Sequence, residues 1–423
     1  MMDLVQLTGY VVVGLAAFYA VMATGSFALR TASTRQRSAE DLALFRERAR
    51  ILLERTAIER DRTELSWNGK RKFVVAKREI ENPVGDVCSF YLKPHDQREL
   101  PPFKPGQFLT FELNIPGQSN PVIRCYSLSQ GAHIRDSYRV SIKKQGAPPK
   151  APEGTPPGLS SNFFHDGIEE GAIVEAMAPA GEFYLNEESG RPVVLISGGV
   201  GLTPVLSMLD TLVANGSNRE IWFFYGARHH KEHTMFEHMK QVDRDNPNVH
   251  MEVCYSDPID GCVVGENYKH KGYVAVELMK SLLPSNNFEF YICGPPPMME
   301  TIVNDLEAWG VPEEDINFEA FGPATVKKSH EAPPLADGTT FTVEFSRSNK
   351  TVEWKPSEGT LLELGEDNGI KINSGCRAGN CGTCLTAVKD GDVVYLHKPG
   401  KKPEAGSCLV CIARPNGPVV LDA

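Results

Sequence analysis

The sequence predicts a multidomain chain: an N-terminal transmembrane helix, a small antiparallel β-barrel, a parallel α/β sheet and a C-terminal α+β domain built around cysteines. Three observations predict it. An uncharged, mostly apolar run extends from Leu4 to Leu29. Short alternating strands separated by Gly/Pro clusters give way near Arg191 to hydrophobic strands that alternate with helical stretches. Finally, Cys376, Cys381 and Cys384 fall close together in the pattern C-x4-C-x2-C. A length of 423 residues suits several domains.

The first element is an anchor over residues 1–30. About 20 apolar residues at 1.5 Å each span a bilayer, and the run carries Leu7, Val11, Val12, Val13, Leu15, Phe18, Val21 and Met22. A cleaved signal peptide would carry basic residues ahead of its apolar stretch, whereas here only Asp3 precedes it. Arg30, Arg35 and Arg37 follow instead, which places the rest of the chain on the cytoplasmic side of a single-pass membrane protein. Residues 31–66 form a charged helical stalk. Leu42, Phe45, Ala49 and Leu52 mark only two heptads, so a solvated spacer is favoured over a dimerising coiled coil.

Residues 67–188 carry the barrel strands, among them Phe73–Ala76, Phe108–Phe111 and Tyr138–Ile142. Residues 189–325 carry the parallel sheet, with strands at Val193–Ile196, Ile221–Tyr225, His250–Cys254 and Phe288–Ile292. A polar linker over 326–338 leads into residues 339–423, where Phe341–Phe345 and Thr351–Trp354 form a hairpin. Thr360–Glu366 makes a short helix before the cysteine loop. A net charge of −10 and the lack of any basic tract interleaved with aromatics argue against a nucleic-acid partner. Of the ten cysteines, Cys88, Cys125, Cys254, Cys262, Cys293 and Cys408 show no disulfide-framework spacing, which points to a reducing compartment.

The cysteine pattern is that of a plant-type [2Fe–2S] site: soft thiolates hold the irons, and Gly375, Gly379 and Gly382 let the loop close tightly. Either Cys408 or Cys411 completes the set. Elsewhere, Arg124-Cys125-Tyr126-Ser127 offers a guanidinium fork for a diphosphate, a ring for stacking and a hydroxyl for a ring nitrogen. Gly158-Leu159-Ser160-Ser161-Asn162 opens a helix and offers an anion pocket, although an N-capping turn explains that segment equally well. Gly198, Gly199, Gly201, Thr203 and Pro204 follow a buried strand and open a helix, a geometry that seats a dinucleotide pyrophosphate. Cys293-Gly294-Pro295 follows another strand at the same sheet edge, where open α/β sheets bind ligands.

Taken in this order, Arg124–Ser127, Gly158–Ser161, Gly198–Pro204 and Cys293–Pro296 resemble the ferredoxin–NAD(P)+ reductase superfamily, with a plant-type ferredoxin fused at the C-terminus. The resemblance implies an NAD(P)H-dependent flavin and iron–sulfur oxidoreductase. It has an FAD-binding barrel over 67–188, an NAD(P)-binding domain over 189–325 and a β-grasp [2Fe–2S] domain over 339–423. It further implies that Arg124 holds the flavin diphosphate, Tyr126 packs on the isoalloxazine and Ser127 approaches N5. Tyr138 and Ser141 then belong to the next flavin-domain strand, and Ser160 and Ser161 contact the diphosphate. The segments 158–166 and 318–323 resemble flavohaemoglobin reductase modules, in which the aromatic matching Phe321 lies near the flavin. Ser127, Cys293 and Phe321 are thus placed at the hydride-transfer centre, with Cys293 as a contact residue rather than a nucleophile.

The Cys-x-Ala-x-Pro context of the family's last ligand favours Cys411, giving Cys376, Cys381, Cys384 and Cys411 as the cluster set. NADH is favoured over NADPH because no serine/arginine/tyrosine phosphate box follows Arg228. The acceptor is expected to be a membrane protein, such as an oxygenase, desaturase, cytochrome or quinone-linked complex. Residues 339–423 hold ten Lys/Arg and ten Asp/Glu, without the acidic excess that steers long-range docking. The sodium-pumping NADH:quinone reductase has a flavin subunit with similar modules in another order. A soluble partner such as an aromatic-ring dioxygenase or hybrid-cluster protein is the alternative.

Overall fold

The computed structural model describes residues 4–118, 121–147, 154, 157–319, 321, 338–375, 377, 379, 382–396, 399 and 403–423. They divide into two compact units, Met1–Glu64 and Leu65–Ala423.

The first unit is a single helix, α1 (Leu4–Glu64). No proline lies within it, so nothing in the sequence forces a break between the apolar and charged halves. Leu7–Phe27 is the one stretch among the described residues long and apolar enough to cross a membrane. Its 21 residues give a rise of about 31 Å. In the charged half, Arg50 pairs with Glu47 at 2.6 Å and with Glu54 at 2.9 Å, the i,i+3 and i,i+4 contacts that support a solvated helix.

The second unit begins with six antiparallel strands: β1 (Arg71–Ile80), β2 (Val87–Pro94), β3 (Phe108–Leu113), β4 (Val122–Ser127), β5 (Tyr138–Lys143) and β6 (Ile173–Ala176). They are ordered β4-β3-β6-β1-β2-β5. A bridge between Leu128 and Val140 joins the end of β4 to β5, so the sheet closes on itself. Inward-facing Phe73, Phe90, Phe111 and Val140 fill the interior. The helix α2 (Leu159–Gly167) plugs one end through Phe164, whose ring meets Phe90, Phe111 and Tyr126 edge-on at 5.2–5.3 Å between centroids.

A parallel sheet follows, built from β7 (Val193–Gly198), β8 (Ile221–Ala227), β9 (Val249–Tyr255), β10 (His270–Lys271), β11 (Glu289–Cys293) and β12 (Ile316–Glu319) in the order β10-β9-β8-β7-β11-β12. β7 and β11 are buried at every position, because helices cover both faces. α3 (Leu202–Ala214) and α4 (Phe236–Asp245) pack on one side; α5 (Val276–Leu282) and α6 (Pro296–Ala308) pack on the other. The order reverses about β7, so the turn after β7 lies at the switch point of the sheet.

The last strands are β13 (Phe341–Phe345), β14 (Lys350–Trp354), β15 (Leu385–Asp390), β16 (Val393–Tyr395), β17 (Ser407–Leu409), β18 (Ala413–Pro415) and β19 (Val419–Leu421), with α7 (Leu361–Asp367) between β14 and β15. A mixed sheet β14-β13-β19-β15-β17 has β13 parallel to β19, and α7 buries Leu361, Leu362 and Leu364 against Val343, Phe345 and Trp354. Thr360 and Glu363 form a reciprocal capping box that starts α7. The linker expected over 326–338 lies outside the described residues apart from Gly338.

Candidate functional site

The barrel's share of the site is built where β4 ends and α2 begins. β4 pairs with β3 so that Arg124 faces Phe111 and Ser127 faces Phe108 across the ladder. Arg124 is exposed, and among the described residues it donates to the Ile123 carbonyl at 2.7 Å. Tyr126 packs on Phe111 and Phe164, and its hydroxyl lies 2.9 Å from Ser160 Oγ. Burial pushes the Tyr126 phenol up to about 12, so it stays a neutral hydrogen-bonding group. Two separate sequence motifs therefore meet in one place.

α2 begins at Leu159, which puts Ser160 and Ser161 in its first turn rather than in a preceding loop. The turn is pinned to the segment after β5. Gly158 N donates to Gln145 O at 3.0 Å, and Gln145 N donates to Ser161 Oγ at 3.1 Å. Asn162 Nδ2 reaches the carbonyls of both Gln145 and Gly158. Ser161 is thus occupied by the turn itself, while Ser160 carries the link to Tyr126.

Tyr138 and Ser141 depart from the sequence reading. Tyr138 is 1% exposed, sits in the barrel core and donates to the Pro101 carbonyl at 2.6 Å. Ser141 Oγ lies 2.6 Å from Ser89 Oγ and 2.8 Å from Ser129 Oγ, inside a buried hydroxyl chain. Both side chains hold the barrel together rather than face a ligand at its rim.

The second half of the site is the turn after β7. Gly199 has φ +56, the left-handed region that glycine adopts without strain. A Cβ on Gly198 would stand 2.5 Å from Met298 Sδ, and one on Gly201 would collide with the Cys293 carbonyl. The Gly198–Gly201 and Cys293–Met298 segments thus touch through bare backbone, leaving a cradle that side chains would fill. Thr203 Oγ1 donates to the Val200 carbonyl at 3.2 Å and holds the 3-10 turn against α3, with Thr203 and Pro204 both buried. Cys293 is wholly buried, and burial, followed by the nearby Glu319 carboxylate, pushes its thiol well above the usual range. A neutral thiol in that position supplies shape, not a nucleophile. Phe321 lies two residues past β12, which pairs with β11 at Glu319 and Cys293; it is 38% exposed at that same edge.

The cluster loop is described at Gly375, Arg377, Gly379 and Gly382–Cys384, and Cys376 and Cys381 lie outside the described residues. Arg377, Gly379 and Gly382 all take positive φ, at 55, 73 and 72°. Glycine takes that left-handed region without strain, and Arg377 adopts it as well. Cys384 and Cys411 bring their sulfurs to 3.0 Å, while Cys408 sits in β17 opposite Thr386. The strand stops at Leu409, and a turn carries Cys411. A strand end therefore lies between the two cysteines. The converging sulfur donors of Cys384 and Cys411 suit an iron–sulfur group.

Sequence reasoning passed over the polar stripe of α3. Ser207, Asp210 and Thr211 interrupt an otherwise apolar helix, and a spacing of three and four puts them on one face.

The fold and these sites define an NAD(P)H-dependent flavin and iron–sulfur oxidoreductase. Residues 195–304 match the family model for an oxidoreductase NAD-binding domain, and residues 343–416 match that for a 2Fe-2S iron-sulfur cluster binding domain. The flavohemoprotein of Halalkalibacterium halodurans is 41% identical over 258 residues, covering 61% of each chain. That of Rhodopirellula baltica is 40% identical over 259 residues, covering 61% of this chain and 62% of its own. The chain thus spans less than two thirds of the length of these relatives.

Among solved structures, the flavohem-like FAD/NAD binding domain of nitric oxide dioxygenase from Vibrio cholerae is 33% identical. It covers 60% of this chain and 99% of its own, with a TM-score of 0.52. Phthalate dioxygenase reductase, described as a modular structure for electron transfer from pyridine nucleotides to [2Fe-2S], is 27% identical. It covers 84% of this chain and 98% of its own, also with a TM-score of 0.52. The chain belongs to the ferredoxin–NAD(P)+ reductase superfamily and carries a C-terminal 2Fe-2S domain. Its cofactors are FAD, NAD(H) and a [2Fe–2S] cluster.

Proposed function

We propose that this chain is a membrane-tethered reductase that takes electrons from NADH and delivers them singly to a membrane-bound acceptor. The observation that carries the proposal is that one chain holds both a dinucleotide-type glycine turn and a thiolate loop. A nicotinamide gives a two-electron hydride and a [2Fe–2S] centre takes one electron, and a flavin, when bound, supplies the conversion between them. The protein's part is binding, orientation and exclusion of water. Arg124 neutralises the flavin diphosphate, Tyr126 offers its ring to the isoalloxazine, and Ser127 stands where N5 is approached. Ser160 and Ser161, with Gly158, line the diphosphate end. The Gly198–Pro204 turn holds the pyrophosphate of the nucleotide, and Cys293, Gly294 and Pro295 close over its nicotinamide end beside Phe321.

Cys376, Cys381, Cys384 and Cys411 hold the cluster; the short sulfur separation of the last two supports Cys411 over Cys408. Arg228 is engaged by Glu232 at 3.2 Å, which leaves it less available to a 2′-phosphate and supports NADH. The apolar stretch Leu7–Phe27 and the basic residues that follow support a single-pass anchor with the catalytic part in the cytoplasm. The test is Cys381→Ser in the full chain. It is expected to abolish reduction of one-electron protein acceptors while retaining NADH-to-ferricyanide activity at the flavin. Equal loss of both activities contradicts the order of carriers.

The likeness to phthalate dioxygenase reductase favours a second reading, a soluble oxygenase as acceptor. It shares every step above and differs in whether the segment 1–37 is needed for turnover.

A further inference from the structure

α3 starts at the nucleotide turn and then runs along the barrel. Ser207 is fully buried in an apolar helix, where a serine commonly returns its proton to a carbonyl one turn back. It donates instead to the Gln130 carbonyl, at 2.6 Å and 77 positions away. Thr211, one turn on, donates to the Ser207 carbonyl at 2.7 Å and accepts from Ala132 N at 2.9 Å. Between these two grips, a Cβ on Gly131 would stand 3.2 Å from the Asp210 carbonyl carbon, so backbone lies against backbone. Arg139 of β5 holds the preceding residue through its contacts with Ser129 and lies 3.9 Å from Asp210.

The gripped residues are neighbours of the two reactive places. Gln130 follows Ser127 by three residues, about 10 Å of extended chain, and Ser207 follows Thr203 by four, about 6 Å of helix. The Gly199–Gly201 turn also brings its Cα atoms within 8 Å of those in β5. We infer that Ser207 and Thr211 are positioning residues. Their paired hydrogen bonds to residues 130–132 set the register of the nucleotide turn against the flavin-motif strand, and so the distance over which the hydride moves. The inference rests on the reading of those two places given above. It adds a pair of side chains that touch neither nucleotide nor flavin.

The test is stopped-flow reduction of the full-length holoprotein by NADH, using Ser207→Ala, Thr211→Val and Thr211→Ser. Both hydroxyl-deleting variants are expected to keep their FAD and to hold NADH within about twofold of wild type, while the limiting rate of flavin reduction falls about tenfold or more. The primary isotope effect with C4-deuterated NADH rises as the rate falls. Thr211→Ser keeps the hydroxyl and should reduce at the wild-type rate. Thr211→Val conserves volume and decides the matter if Ser207→Ala does not fold. An unchanged limiting rate overturns the inference. So does a loss confined to NADH affinity, or a Thr211→Ser variant as slow as Thr211→Val. A wild-type flavin that NADH does not reduce overturns the underlying reading of the site, and the inference with it.

Discussion

The two edges of the parallel sheet are built from opposite materials. At the carboxyl edge, Gly198, Gly201 and Gly294 bring backbone against backbone, with Met298 Sδ filling the remaining gap. At the amino edge, Arg219 is buried to 6% exposure and spends its guanidinium on three partners: Glu289 at 2.7 Å, the Arg191 carbonyl at 2.5 Å and the Asn186 carbonyl at 3.1 Å. Beside it Arg191 grips Asp315 with two hydrogen bonds of 2.5 and 2.8 Å. At the amino edge the charged groups of Arg219 and Arg191 are paired within the fold. The carboxyl edge keeps backbone uncovered, which makes it receptive and intolerant of side chains. Substitutions at the two edges should therefore fail in different ways.

The largest effect is expected from Gly201→Ala. A methyl there meets the Cys293 carbonyl and the Gly294 backbone, neither of which can turn aside as a flexible side chain would. Closing the cradle should cut NADH-driven flavin bleaching by about a hundredfold or more, since a shift on the order of 1 Å at a reacting centre costs that much. Reduction of the same flavin by dithionite should be unaffected. Anaerobic titration at the flavin absorbance band separates the two, and equal bleaching by NADH in variant and wild type would show that the turn does not seat the nucleotide.

Arg219→Ala should fail by unfolding instead. It leaves Glu289, a buried carboxylate, without its partner, and breaking a buried pair in this way costs about 3–5 kcal/mol. Urea denaturation reads that loss, while the NADH affinity of the chain that stays folded at low temperature should match wild type. A variant as stable as wild type but weak in NADH binding would erase the distinction between the edges.

Much of this arrangement is local enough to read directly. Alternating residues mark β1, β3 and β5, unbroken apolar runs mark β7 and β11, and the glycines after β7 mark a turn that side chains would block. What is not local is harder to see. The pairing of Tyr126 with Ser160 joins residues 34 apart through the docking of α2, which no spacing encodes. Period-two alternation puts Tyr138 and Ser141 on opposite faces of β5, and only the packed barrel shows that both are buried. The difference between Cys408 and Cys411 depends on where β17 stops, one residue after Cys408. The stripe of Ser207, Asp210 and Thr211 was legible as polar residues in an apolar helix, but its meaning needs the barrel against which it lies.

The carboxyl edge also carries a buried imidazole. His233, in the segment between β8 and α4, is 1% exposed and lies between Tyr225 and Phe236 at 4.9 Å from each ring. Its Nδ1 meets Tyr255 Oη at 2.8 Å, and its Nε2 has no hydrogen-bond partner among the described residues. Burial lowers the imidazole to about 3, against an ordinary value of 6.5. Between those values the unfolded chain binds a proton that the folded chain refuses. Stability from this group is therefore complete above about pH 6.5 and is lost as the pH falls toward 3, by at most about 1.4 kcal/mol per unit. His233→Gln, which has no ring to protonate, should start less stable at neutral pH yet lose stability less steeply between pH 6.5 and 4. Chemical denaturation at several pH values measures both. Parallel slopes for variant and wild type would mean that the acid sensitivity of the chain arises elsewhere.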